Sequence, residues 1–386
     1  MDKSILFVGT CYYNAWYLSR ALREHGWRTT VVTFPGDMSE MYGHGWDVRL
    51  ELSRNPQAMI PRTAEVLKLF FGHKIIHFTG IHNLRMLYFC EPGRFSSDAG
   101  YDIRFLKRLG KKIVYSHTSC HDGVSQTSFS RWGEHPVCDD CSWQHVPAVC
   151  SDQRNLDWGR FRNSLCDYQI GMGGNRVDCN DDPRVHEVPQ FWCLDPEFWQ
   201  PELPIPDEHR LPPANGAVRI YHAVGNFDQR TKAQTQANIK STHIYLPLIE
   251  RMKSAGLPVE LVFVKDKPNR VVRFYQAQSD IVCDMLTFGF FGANVREALM
   301  LGKPAVCYLR PEWLESIRRE QPEFIAELPV VNATPDTVES VLTDLVCNPD
   351  KRREIGRRSR EFALKWYGAR NAAVTMDRIY SDLIRN

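Results

Sequence analysis

Apolar positions along this chain follow two alternating periods. Residues 4–9 (SILFVG), 29–34 (TTVVTF), 74–79 (KIIHFT) and 112–116 (KIVYS) are short, almost continuously apolar runs, the signature of strands covered on both faces. Between them, residues 15–25 and 101–109 carry apolar side chains at helical spacing, and Gly26 ends the first of these helices. Residues 167–171 and 185–189 read as weaker strands closing this half. A strand, a crossover helix and a second strand in this order predict a parallel sheet with right-handed connections.

Residues 194–213 break the pattern. Proline at that density continues neither a helix nor a central strand, so the stretch is read as an interdomain connection. A second alternation follows, with strands predicted at 218–222, 259–264, 280–285 and 305–309. Helices are expected at 242–255, 271–277, 293–301 and 335–347, then two long ones at about 350–366 and 369–384. The expected fold class is α/β, with two Rossmann-like, doubly wound domains facing across a cleft that holds the ligand.

A chain of 386 residues with 43% hydrophobic and 24% charged residues is globular and long enough for two cores. Its net charge of +2, without a basic arm or acidic tail, gives no reason to expect nucleic acid as a partner. The start of the chain reads as a buried strand rather than a secretory segment, and no apolar run is long enough to span a bilayer, so a cytoplasmic location is expected. Residues 67–71 and 84–89 mix basic with bulky apolar side chains, as helices lying on a membrane surface do. Core-facing positions explain the same pattern and are preferred, with peripheral membrane contact left open.

The segment richest in chemistry is 287–304 (TFGFFGANVREALMLGKP), where a strand meets a glycine-bearing turn and a helix starts near Ala293 and Asn294. Exposed N–H groups at a helix start bind phosphate, and Gly289 and Gly292 are expected to take positive φ and let backbone approach a ligand. Glu297, one turn in, is placed to accept both hydroxyls of a ribose. A plain β-turn-α unit with a solvated glutamate is the alternative.

Phe291-Gly292-x4-Glu297-Ala298-x3-Gly302-Lys303-Pro304 resembles the nucleotide-binding segment of the GT-B glycosyltransferases, specifically the large retaining family four. The tail, from Asn348-Pro-Asp through Phe362-Ala-x-Lys-x-Tyr367 to Ile379-Tyr380, is similar as well. The resemblance implies an acceptor domain over 1–195 carrying a cysteine-rich insertion at about 118–155, a donor domain over 196–368, and a helix over 369–386 that returns to the first domain. It implies transfer of a sugar from a nucleoside diphosphate to an acceptor hydroxyl with retention, without a catalytic metal. The acceptor would be a saccharide, a lipid-linked molecule or a small molecule.

The resemblance also distributes roles. Lys240 matches a lysine that neutralises the diphosphate, with Ser241 in place of the family's glycine, and the strand end at Asn226 leads into a loop whose Arg230 or Lys232 supplies a second cation. A solvated polar loop is the alternative for those two. His117 follows a strand where the family presents a histidine to the donor sugar, although a structural histidine is as good a reading. Gly9 and Thr10 end the first strand on the cleft. The family carries a glutamate eight positions before Glu297, where this chain has Gly289. A sugar-nucleotide epimerase of the same fold and a non-catalytic nucleotide-sugar binder are the competing functions.

Twelve cysteines are many for such a chain. Cys120, Cys138, Cys141 and Cys150 cluster around a C-x2-C pair in a stretch poor in aliphatic residues, a pattern suited to a structural zinc, with His121, His135 and His145 as competing ligands. Free thiols in a loop are the alternative.

Overall fold

The computed structural model describes residues 2–10, 12–34, 39–50, 56–79, 84, 86, 100–131, 137–144, 146–172 and 176–385. The chain forms two compact units. Unit 1 comprises Met1–Ser125, Gln153–Cys193 and Ala369–Asn386, and unit 2 comprises Gln126–Asp152 and Leu194–Gly368.

Unit 1 is built on seven parallel strands, β1 (Ser4–Val8), β2 (Arg28–Thr33), β3 (Val48–Arg49), β4 (Ile75–Thr79), β5 (Lys112–Ser116), β6 (Tyr168–Ile170) and β7 (Val185–His186), in the order β3-β2-β1-β4-β5-β6-β7. Every residue of β1 and β4 is buried, which is why these runs are apolar without alternation. The register pairs Ile5 with Thr29 on one side and with Ile75 on the other, and strand order reverses direction at this β1/β4 boundary. The two-residue strands β3 and β7 are too short to carry a readable period. The helices Pro56–Gly72 and Asp152–Leu165 were not evident from periodicity alone.

Val66, Phe70, Leu84 and Met86 belong to the core of this unit, with Leu67 and Leu69 packed against it. The core-facing reading therefore holds for those positions in 67–71 and 84–89, while 85 and 87–89 lie outside the described residues. The last helix, Ala369–Arg385, buries Ala372, Ala373, Met376 and Tyr380 in unit 1. Its Asp377 accepts from Lys3 Nζ at 2.8 Å and Trp27 Nε1 at 2.7 Å.

Unit 2 has five parallel strands, β8 (Val218–Val224), β9 (Val259–Lys265), β10 (Ile281–Cys283), β11 (Ala305–Cys307) and β12 (Val331–Asn332), in the order β12-β11-β10-β8-β9. Ile220, Tyr245, Leu248, Ile281, Val306 and Leu342 are among the residues of its core. Strand order reverses between β8 and β10. In doubly wound sheets ligands bind at such a point, beyond the carboxyl ends of the strands. The helices Pro311–Glu320 and Pro322–Glu327 and the strand β12 have no counterpart in the sequence reading. Among the described residues no helix is long and apolar enough to cross a membrane.

Candidate functional site

The carboxyl ends of β8 and β10 gather a cluster of buried polar side chains in unit 2. His222, near the end of β8, makes a 2.8 Å hydrogen bond through Nε2 with the hydroxyl of Thr242, the first residue of the helix Thr242–Ser254. Its ring contacts those of Tyr245 and Phe263, and burial lowers its pKa to about 4, so the imidazole is neutral at neutral pH. Asn238, fully buried, accepts through Oδ1 from Lys240 N at 3.0 Å and from the Thr242 hydroxyl at 3.1 Å, tying down the start of that helix. Ser241 takes the left-handed backbone that the family's glycine favours, with φ 63°, and its hydroxyl accepts from Leu286 N at 3.0 Å.

Lys240 donates through Nζ to Asp284 Oδ1 at 2.7 Å, and Asp284 is fully buried just beyond β10. A lone carboxylate is costly in that setting, so the lysine supplies the counter-charge. The second oxygen of Asp284 and the hydroxyl of Tyr221 are buried without hydrogen-bond partners among the described residues. Burial, then the charges of Glu297 and Asp284, raises the pKa of Tyr221.

Glu297 is 2% exposed in the helix Ala293–Met300. Asn269 Nδ2 donates to Oε1 at 2.7 Å and Gln276 Nε2 to Oε2 at 3.4 Å. Gln276 also donates to Asn294 Oδ1 at 2.7 Å, so Glu297 and Asn294 share one amide partner. The two glycines before this helix differ. Gly289 has φ 89°, whereas Gly292 has φ −98° with open space where a β-carbon would point, so the positive φ expected at Gly292 is absent. The helix start needs an extended residue there, and the left-handed step falls three residues earlier.

The loop 227–241 is shaped by the segment 126–152. Lys232 Nζ donates to Asp139 O and, at 3.1 Å, to Gln144 Oε1, while Ser142 Oγ donates to Gln229 O at 2.7 Å. Asp140 lies 3.2 Å from Thr287 Oγ1 and 3.5 Å from His243 Nε2, and Phe129 meets Phe288 edge-on. Asn226, in the left-handed conformation, opens the short helix Phe227–Arg230. Arg230 closes that helix and Lys232 follows it, but the cation of Lys232 is directed to the segment 126–152.

That segment also carries three of the four cysteines singled out above. A turn brings Cys141 N to Cys138 O at 3.0 Å. Burial, then hydrogen bonding to Ser130 and the neighbouring charges of Cys141 and Cys150, leaves the Cys138 pKa raised to about 11. Cys120 belongs to unit 1, and His135 and His145 lie outside the described residues. Among the described residues no group of three or more His, Cys, Asp or Glu side chains is arranged to hold a metal ion.

In unit 1, Gly9 follows β1 with φ 100°, and its carbonyl accepts from Thr79 Oγ1 at 2.5 Å. Thr10 is buried and shares a 2.8 Å hydrogen bond with Thr33. His117, just past β5, is buried, with Nε2 3.1 Å from Gln169 Oε1, and burial lowers its pKa to about 3. The turn after it is held by a network the sequence did not announce. Asp122 accepts from Tyr115 OH, Thr118 N and Trp158 Nε1, and faces the fully buried Arg162 at 3.4 Å.

Solved structures of two proteins are among those that resemble the whole chain. Sucrose-phosphate synthase from Thermosynechococcus elongatus aligns over 99% of each chain with a TM-score of 0.57 and 14% sequence identity. HepE (Alr3699) from Anabaena, solved in complex with UDP and with UDP-glucose, aligns over 98% of this chain and 100% and 99% of that chain. Its TM-score is 0.56 in both states, at 11% and 12% identity. The fold is that of the GT-B glycosyltransferases. The GT-B assignment rests on tertiary structure, because by sequence the chain matches no family model and no curated protein. Within this GT-B fold, the seven-stranded and five-stranded sheets correspond to the two Rossmann-like halves expected from the hydrophobic pattern.

Proposed function

We propose that the protein transfers a sugar from a nucleoside diphosphate to an acceptor hydroxyl, with retention of configuration as the family-four resemblance implies. The observation that carries this reading is the buried polar cluster at the β8/β10 reversal, where Lys240, Asp284, Tyr221 and Glu297 gather beside two helix starts. The UDP-glucose complex of HepE, which shares the fold, supports a nucleoside-diphosphate sugar as donor.

In this reading the helix starts at Thr242 and Ala293 face the diphosphate with their N–H groups, and Lys240 takes up charge growing on the leaving group as it loosens from Asp284. Glu297, oriented by Asn269 and Gln276, receives the ribose. Open space beside Gly292 leaves room for the donor against the backbone. His117 would act neutral, as a hydrogen-bonding group rather than a cation. The acceptor belongs to the carboxyl edge of unit 1, near Gly9 and Thr10.

The test is incubation of the protein with UDP-, GDP- and ADP-sugars, with products followed by NMR. Slow release of sugar from one donor, with its anomeric configuration kept, is the expected result. An epimerised donor would replace this reading with an epimerase, and saturable binding without turnover would leave a nucleotide-sugar binder.

A structural zinc on Cys138, Cys141 and Cys150 is a separate proposal. The C-x2-C turn and the mutual influence of the three thiols support it. Metal analysis of the purified protein is expected to find about one zinc per chain, lost in Cys138→Ser. Protein free of zinc and equally stable would remove the proposal.

A further inference from the structure

Unit 1 carries an apolar stripe that its core does not use. On the helix Tyr101–Arg108, Ile103 and Leu106 point into the core, whereas Tyr101, Phe105 and the following Leu109 recur every four residues on the outside, 74%, 48% and 50% exposed. Phe71, at the end of the helix Pro56–Gly72, is also exposed and meets Phe105 edge-on with ring centroids 6.3 Å apart. Single exposed apolar residues are ordinary, but a row of four large ones is not.

Cations border this stripe. Lys111 Nζ donates to the carbonyl of Phe71, and Arg28 donates to the carbonyl of Gly72 at 2.6 Å. A β-carbon on Gly110 would stand 3.4 Å from Lys74 Nζ, so that ammonium lies against the turn following Leu109. Arg104 and Arg108 are exposed on the same helix. Lys111 is close enough to Lys74 and Arg28 for their charges, after burial, to lower its pKa, with Asp2 opposing them. Asp2 pairs with Arg28 at 3.6 Å, and the Asp102 carboxylate is turned inward onto Met86 N and Ile103 N.

Apart from Tyr101, which opens the helix, these groups stand toward the amino ends of β2, β4 and β5, the edge of the sheet that ligands of a doubly wound fold do not use. The chemistry at the carboxyl ends therefore gives no account of them. Like cations crowded beside exposed aromatic side chains call for an anionic, partly apolar surface. A two-fold contact with a second copy would set the same cations against each other, so self-association through this face is disfavoured.

We propose that this face of unit 1 docks on an anionic lipid bilayer. Phe71, Phe105 and Leu109 enter the headgroup boundary, and Lys74, Lys111 and Arg108 meet lipid phosphates.

The test is cosedimentation of the full-length protein with phosphatidylcholine vesicles, with and without phosphatidylglycerol, at low and physiological salt. Binding is expected on the anionic vesicles alone and weakens with salt. It falls about fivefold for each cation removed in Lys74→Ala and Arg108→Ala, and is lost in Phe105→Ser/Leu109→Ser. All of these positions are on the surface, so unchanged melting temperatures confirm folded variants. Absence of binding to anionic vesicles, or binding equal in all variants, overturns the proposal. So does a self-association, seen by sedimentation velocity, that Phe105→Ser abolishes while vesicle binding stays intact.

Discussion

Gly289 and Arg310 exclude any larger pair of side chains at their positions. A β-carbon at 289 would stand 2.5 Å from Arg310 Cδ, while Arg310 N donates to Gly289 O at 2.9 Å. Arg310 is fully buried, and burial lowers its pKa to about 8. The arginine thus fills the space where any side chain at 289 would begin. Gly289→Ala is expected to destabilise the protein by about 1–2 kcal/mol for the left-handed backbone, and further through the clash. Arg310→Ala in the same chain should relieve the clash and not the backbone cost. Urea unfolding of the single and double variants reads both effects. A Gly289→Ala protein as stable as the parent would contradict this relationship.

The Lys240–Asp284 pair predicts a strongly non-additive mutant cycle. Lys240→Met leaves a fully buried carboxylate without its cation and is expected to cost about 3–5 kcal/mol. Adding Asp284→Leu should recover much of that loss, because the uncompensated charge goes with it. If the two losses simply add in denaturant unfolding, the pair is not coupled as its 2.7 Å contact implies.

Acid sensitivity follows from buried neutral histidines. Burial places His77 and His117 of unit 1 at about 3 and His222 of unit 2 at about 4, all below the ordinary 6.5. Above pH 6.5 neither folded nor unfolded state binds these protons and the stability is fully present. As pH falls toward 4 and 3, the unfolded chain takes them up first, so each histidine removes up to about 1.4 kcal/mol per pH unit. Unfolding midpoints measured between pH 7 and 4.5 should fall more steeply for unit 1 than for unit 2. His222→Gln is expected to flatten the slope of unit 2, and an unchanged slope would rule out that origin.

Asp122 and Arg162 anchor the turn after β5. Arg162→Ala leaves the Asp122 carboxylate, 1% exposed, without its cation and is expected to cost about 3–5 kcal/mol. The loss should appear in unit 1 as faster amide exchange at Thr118 and Tyr115, whose backbone and hydroxyl meet that network. Exchange confined to the parent rate would show that the network does not hold the turn.

The hydrophobic pattern alone determined the class of the fold. β1 and β4 are buried along their whole length, so their runs had to be continuously apolar, and the helices Asn14–Glu24 and Thr242–Ser254 bury stripes wide enough to show their period. The helix start at Ala293 was legible because turn chemistry is local, whereas Lys240 was singled out only by the family resemblance. β3, β7 and β12 were not, since two residues carry no period and such strands exist by pairing with a neighbour. The partners of the candidate site were equally hidden. Asp284 reaches Lys240, Asn269 reaches Glu297 and Asp139 reaches Lys232 across long separations in the chain, and no local pattern records such pairs. The same holds for the glycine at 289. Its place in the turn could be read from the sequence, but the buried arginine that keeps it a glycine appears only when β11 and the loop before Ala293 pack together, because a steric exclusion between distant residues exists in space and not in order.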